Sequence, residues 1–349
     1  MLLRLAVSNF LSFDSKVEFS MLATKESRHP HRLASSPACS GKLLQAAAIW
    51  GGNASGKSNF CEVFQFVQWL VLEGTRAGAP ITRIPFRLRK NASEEPSRFE
   101  FDLLIEEEGG EEKVFRYAFA VTGKAVIEER LSEVRPHSEK LYFERKFRDG
   151  PEHEFNLEWW NRKGVDPEDR LLARLVAKGT KPNQLFLHEA MDRNLTILAP
   201  VYRWFSEQLI VLRPEDDYLS LAIEEPGRAE LREFTAGLLH QMGTGVVEVE
   251  AVEGNGSSIG MPQDVQDKML KSMPEGHKGI IMRSHGGNRF SVFRKDGELK
   301  TSRIVTFRRS KEGERVQFEL SEESDGTRRL FDLAPALHDV RSGKPRRVY

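Results

Sequence analysis

An α/β fold is predicted by three observations on the 349-residue sequence. A glycine-rich turn, GGNASGKS, stands between an apolar run and a run of helical periodicity. Short alternating apolar and polar runs occupy 97 to 147, and from 166 to 243 the period lengthens to that of helices.

At the N-terminus, LLRLAVSNF and KVEFSML alternate around the turn-like LSFDS, which predicts an antiparallel hairpin with Phe10 and Phe13 in its core. Residues 23–42 are polar and carry two prolines; His29 and His31 have a spacing that suits a metal, but no third ligand is evident, so the segment reads as a loop. The next run, LLQAAAIW, is apolar enough for a buried strand.

Directly after it, Gly51, Gly56, Lys57 and Ser58 satisfy G-x-x-x-x-G-K-[ST] in the strand–turn–helix context that the motif needs. Backbone N–H groups of such a turn point at a phosphate, the Lys57 ammonium reaches the β/γ oxygens, and the Ser58 hydroxyl can ligate Mg²⁺. The predicted nucleotide-binding set is Gly51, Asn53, Ala54, Ser55, Gly56, Lys57, Ser58 and Asn59, with Lys57 as the catalytic cation. Phe60, Val63, Phe64, Val67, Leu70 and Val71 recur at helical spacing, which puts the positive end of a helix dipole beneath the phosphates.

Beyond this helix, SRFEFDLLIEE, KVFRYAFAVTG, AVIEERLSEV and KLYFERKF predict an antiparallel meander. DPEDRLLARLVAKG, PVYRWFSEQL and GRAELREFTAGLLHQMG predict helices. Between 244 and 301 strand-like ends flank a polar middle holding Gly254, Gly256 and Gly260, which reads as a mobile loop. Near the end, VQFELSEESDGTRRLFDLAPAL predicts a strand, a polar turn and an amphipathic helix carrying Leu330, Phe331, Leu333, Ala334 and Leu337. The expected segmentation is 1–80 for the hairpin and phosphate loop, 81–160 for a β-rich insertion, 161–243 for a helical lobe, 244–315 for further β segments and 316–349 for the final turn and helix.

Bulk properties narrow the function classes. Fifty-two basic residues balance 52 acidic ones, so no global field recommends nucleic acid or anionic lipid, although SRIVTFRRSK and RSGKPRRVY are locally basic and leave DNA open as a partner. No signal peptide opens the sequence and no apolar run approaches the roughly 20 residues of a membrane span, so a cytoplasmic protein is expected. Two cysteines are too few for a disulfide framework or a zinc site; both read as reduced thiols, Cys61 as a core-filler.

Taken in order, LAVSNFLSF, GGNASGKSN, KPNQLFLHEA, VYRWFSEQLIVL and ESDGTRRLFDLAPAL resemble the AAA15 family of ABC-like ATPases of bacterial phage-defence and abortive-infection loci, relatives of SMC, RecF and Rad-fifty-like heads. The resemblance implies an ABC-type head without a coiled coil that binds ATP and Mg²⁺, works as a homodimer or higher oligomer, and controls an effector protein, a nuclease or other toxin. In such heads the phosphate loop of one copy faces the signature loop of the other across ATP. Ser324 and Gly326 would then donate hydrogen bonds to the partner's γ-phosphate; without the resemblance, SDGTR reads equally well as a helix cap.

The resemblance also implies an apolar strand ending in Asp-Glu after the signature helix, one acid holding Mg²⁺ through water and the other activating the attacking water. No such strand is visible before Tyr349, and Val348 and Tyr349 look like its first residues, so a truncated, split or partly represented head that hydrolyses poorly is expected. QLIVLRPEDD, with Glu215, Asp216 and Asp217, does not qualify, because Arg213 and Pro214 interrupt it and it precedes the signature loop. Relatives carry a basic residue after Asn-Phe, where this chain has Leu11. The alternatives are a RecF- or SMC-like DNA-associated ATPase and a phosphate-loop small-molecule kinase with RLRK, 87–90, as its lid.

Overall fold

Strand β1 (Leu2–Ser8) pairs antiparallel with β2 (Val17–Ser20), placing Leu5 opposite Phe19 and closing the expected hairpin. This is a computed structural model that describes residues 1–25, 28–107, 109–147, 153–212, 228–256, 260–273, 280–283 and 289–342. They fall into two units, Met1–Val211 and Leu212–Arg346, so the helices read together over 161–243 are divided between them.

In the first unit, β1 also pairs with β5 (Ser97–Glu106), on the edge opposite β2. The short pair β3 (Leu33–Ala34) and β4 (Leu43–Leu44) lies apart from this sheet. β5 continues through β6 (Glu112–Val121), β7 (Val126–Arg135), β8 (Ser138–Phe147) and β9 (His153–Asn156) into one seven-stranded antiparallel sheet, ordered β2-β1-β5-β6-β7-β8-β9. Alternation along β5 sends Phe99, Phe101, Leu103 and Ile105 to one face, where helix α1 (Lys57–Leu72) packs Val63, Phe64, Val67, Leu70 and Val71 against them. Each fully buried side chain of this size contributes about 1.5–3 kcal/mol. Edge-to-face contacts, such as Phe64 with Phe101 at 5.9 Å, fix the stacking.

Three further helices complete this layer: α2 (Pro167–Gly179), α3 (Phe186–Asp192) and α4 (Ala199–Arg203). Asp166 caps α2 by accepting from the Glu168 amide, and Pro167 takes the first helical position, where its missing N–H costs nothing. α4 widens into one π-type turn, Trp204–Gln208, that buries Trp204 and Phe205.

The KPNQLFLHEA segment ties the far end of α1 to the sheet. Asn183 donates to the carbonyls of Arg76 and Ala79 at 2.7 and 2.8 Å and accepts from Gly78 N–H at 3.2 Å. His188 bonds the Val71 carbonyl through Nδ1 at 3.0 Å, and its ring fills the space that a Cβ on Gly74 (φ +63°) would take. On the sheet side, Glu129 accepts from the amides of Phe186 and Leu187, and Arg145 donates to the carbonyls of Lys181 and Pro182.

Two expectations in this unit are corrected. LLQAAAIW is strand only at Leu43–Leu44; residues 45–50 are exposed and join no strand among the described residues, Trp50 being 90 % exposed. An apolar run becomes a buried strand only where neighbours pair with it on both edges, and the described strands pair elsewhere. Cys61 is exposed on α1 rather than a core-filler, because Val63, Phe64 and Val67 define the inward face.

In the second unit, β10 (Glu248–Asn255) lies along one edge of the long β13 (Glu298–Arg309); β12 (Arg289–Lys295) and β14 (Arg315–Glu319) share the other, and β11 (Ile280–Arg283) pairs with β12. Helices α5 (Ala229–Gln241) and α7 (Asp325–Ser342) bury Leu231, Leu239, Phe331 and Ala334 against Val249 and Ile304. Leu337, expected on the buried face of α7, is 43 % exposed. The segment read as a mobile loop holds helix α6 (Gln263–Ser272), with Gly254 inside β10. Val265, Met269 and Leu270 pack beside Val292 and Leu299, an apolar face too thin to stand out in so polar a segment. Glu215, Asp216 and Asp217, and residues 343–349, lie outside the described residues.

Candidate nucleotide site

The loop between Trp50 and α1 takes its shape from backbone conformations that side chains resist. Gly56 is left-handed at φ +92°, and Ala54 takes φ +61° at the steric cost a non-glycine residue bears there. A Cβ on Gly51 would stand 2.5 Å from Ser55 Oγ, and one on Gly56 would stand 2.6 Å from Ser12 Oγ. Gly52, by contrast, faces open space.

Within residues 51–58, the Ser55 amide bonds the Gly52 carbonyl at 3.3 Å; no other amide of this stretch donates to a backbone carbonyl among the described residues. The loop therefore carries amides with no backbone acceptor and ends on the N-terminus of the 16-residue α1. Dipole and unpaired donors together make an anion site.

Lys57 Nζ folds over the loop, donating to the carbonyls of Gly51 at 2.8 Å and Gly52 at 2.7 Å. This holds the ammonium against the loop's own carbonyls, where an arriving phosphate can take over its hydrogen bonds. Ser58 is exposed at the second position of α1, and among the described residues its hydroxyl has no protein partner, which fits a metal ligand. Asn53 and Ser55 are exposed along the rim, and Asn59 is half-buried on the first turn.

Sequence reasoning missed Ser12, the hairpin residue beside Gly56. Its neighbours are held firmly: Leu11 N–H donates to Ile84 O at 2.8 Å, and the buried Asn9 amide donates to Ala92 O and Glu95 O at 2.8 and 3.0 Å. Asn9 Oδ1 accepts from Phe86 N–H, and Arg89 bridges Asp14 and Glu95. Asn9 and Leu11 both have positive φ, a cost these contacts offset. The signal was in SNFLSF, whose tight turn leaves an exposed serine at its tip. Segment 87–90, weighed as a lid, is a surface turn whose Arg89 is committed to these ion pairs.

Ser324 and Gly326 lie in the second unit at the start of α7. Ser324 Oγ accepts the Thr327 amide at 3.2 Å and shares a hydrogen with Thr327 Oγ1 at 2.9 Å, so this serine is an N-cap. Both Ser324 and Gly326 are exposed. Gly326 has no positive φ, and a Cβ there would meet nothing nearer than Ser324 Oγ at 3.9 Å. The fold of this unit therefore does not require glycine at 326, which leaves room for close approach from outside.

The buried carboxylate of Glu129 is engaged by Tyr117, two amides and Arg145, and serves the sheet rather than the phosphate loop. Among the described residues no helix is long and apolar enough to cross a membrane.

A family model described as "AAA domain, putative AbiEii toxin, Type IV TA system" matches residues 46–345, which include both the phosphate loop and the SDGTR turn. No curated protein matches the chain.

Proposed function

For a chain that belongs to this family of AAA domains of Type IV toxin–antitoxin type, with an ABC-like phosphate-loop ATPase architecture, we propose the role of an ATP-gated switch. Two heads close on ATP and thereby hold or release a partner protein. The observation that carries the reading is the pair of helix N-termini at residues 51–58 and 324–327, where Lys57, Ser58, Ser324 and Gly326 are exposed.

Residues 51–58 wrap the phosphates through backbone N–H groups, with Lys57 moving from the Gly51 and Gly52 carbonyls onto the β/γ oxygens. Mg²⁺, held by Ser58, would neutralise charge on those oxygens. Ser324 and Gly326 of a second copy reach the γ-phosphate, so closed dimers form only with the triphosphate. ATP favours closure by the margin with which it binds the dimer over separate heads. The narrower assignment to the AAA15 phage-defence group follows from the order of motifs, and the partner is an effector, a nuclease or other toxin. A cytoplasmic location fits this role.

The test is ATP binding by calorimetry together with sedimentation velocity, with and without ATP, for wild type and Lys57→Ala. Tight binding with ATP-dependent dimers, both lost in Lys57→Ala, is expected. Tight ATP binding without any change of mass would sink the dimer reading, and transfer of phosphate to a small molecule would favour a kinase.

A further inference from the structure

Glu323 immediately precedes the SDGTR turn and is 4 % exposed, whereas Ser324, Asp325 and Gly326 are exposed. Its carboxylate takes a two-pronged grip from Arg308: Nη1 donates to Oε1 at 2.8 Å and Nη2 to Oε2 at 2.6 Å. The fully buried Thr306 hydroxyl donates to Oε1 at 2.6 Å. Thr306 and Arg308 sit two residues apart on β13 and so share one face of the strand. Arg308 is itself located twice more, by the Thr244 carbonyl at 3.3 Å from Nη2 and by the Phe318 ring, 4.8 Å from its guanidinium carbon.

The Glu323 carboxylate is buried while the Arg308 side chain is 27 % exposed, and such a pair is a poor way to gain stability, because desolvation of the carboxylate offsets much of the attraction. What the forked geometry adds is direction, since two parallel bonds and a third from Thr306 leave the carboxylate one orientation. The backbone leaving Glu323 is thereby set on the sheet, and the exposed Ser324 is presented from a fixed point.

We infer that Glu323 and Arg308, with Thr306, are positioning residues that hold the SDGTR turn at the height and angle from which Ser324 and Gly326 meet the γ-phosphate of a second copy. The inference rests on the proposed ATP-sandwiched dimer. Hydrogen bonds to a phosphate tolerate little misplacement, and a shift near 1 Å at such a contact is felt strongly. Glu323 does not touch the nucleotide; it acts through Ser324.

The test uses the full chain. Glu323→Gln is isosteric and exchanges one acceptor oxygen for an N–H₂ group that faces the Arg308 donors. ATP-driven dimerisation is measured by sedimentation equilibrium, and amide hydrogen exchange is followed at 324–327 and along β13. ATP binding by the single head controls for folding. Expected are dimers at least about tenfold weaker in Glu323→Gln and Thr306→Val, faster exchange at 324–327 with β13 still protected, and recovery in Thr306→Ser, which restores the hydroxyl. Arg308→Lys keeps the charge but loses the fork, and should stay weak. Wild-type dimer strength and exchange in Glu323→Gln would overturn the positioning role alone. Absence of ATP-dependent dimers in wild type would bring down the sandwich reading and this inference with it.

Discussion

Glu129 and Arg145 stand opposite each other in the β7–β8 register, 3.7 Å apart, and neither side chain reaches solvent. Burial pushes the Glu129 carboxyl up in pKa; Arg145, the Leu187 and Phe186 amides and the Tyr117 hydroxyl oppose that shift. The pair fixes the KPNQLFLHEA segment, which in turn holds the end of the phosphate-loop helix. Glu129→Ala leaves a buried guanidinium without its counter-charge and should cost about 3–5 kcal/mol. A urea series should show a lower midpoint with an unchanged slope, and Glu129→Leu combined with Arg145→Met should recover most of the loss.

Gly56 is committed twice, by its left-handed backbone and by Ser12. Gly56→Ala should cost about 1–3 kcal/mol in local strain and weaken ATP binding. Ser12→Gly combined with Gly56→Ala should recover only the part due to the steric clash. Lys57→Ala removes charged hydrogen bonds worth about 1.5–3 kcal/mol, or about ten- to a hundredfold in Kd, as read by calorimetry.

Gly326 is sterically free within its own unit. Gly326→Ala should therefore melt within about 1 kcal/mol of wild type while weakening ATP-dependent association. A variant that loses stability and association in parallel would show that the glycine serves the fold instead.

His153 accepts a hydrogen bond from Arg145 at 2.8 Å, and burial together with that charge lowers its pKa to about 4. The folded form therefore stays neutral while the unfolded chain takes up a proton below about 6.5. Stability present above pH 6.5 should decline as pH falls towards 4 and then level off in this component. His153→Gln should flatten that part of the curve, measured as urea midpoint against pH.

The hairpin was legible because LAVSNF alternates on a face that α1 covers, and the phosphate loop because its residue types are forced by the backbone. Residues 45–50 misled, since apolar composition reports a readiness to be covered and not the presence of a covering strand. Helix α6 was missed because a thin Val265–Met269–Leu270 face is drowned by polar neighbours. The Arg145–His153 contact and the Glu323 grip were invisible, as they depend on strands meeting in a register that composition alone does not encode. Motif order was enough to read the coarser class, an ABC-like phosphate-loop ATPase of abortive-infection type.

Trp50 lies one residue before the phosphate loop and is 90 % exposed, whereas Trp160 and Trp204 are sealed in the core. An indole in water emits at longer wavelength than one in an apolar site, so Trp160 and Trp204 supply a constant background, while Trp50, far more exposed than Trp69 at 39 %, dominates the response to its surroundings. Any event that covers residues 46–50 or tightens the loop would be visible as a blue shift in the unlabelled protein, on the timescale of mixing.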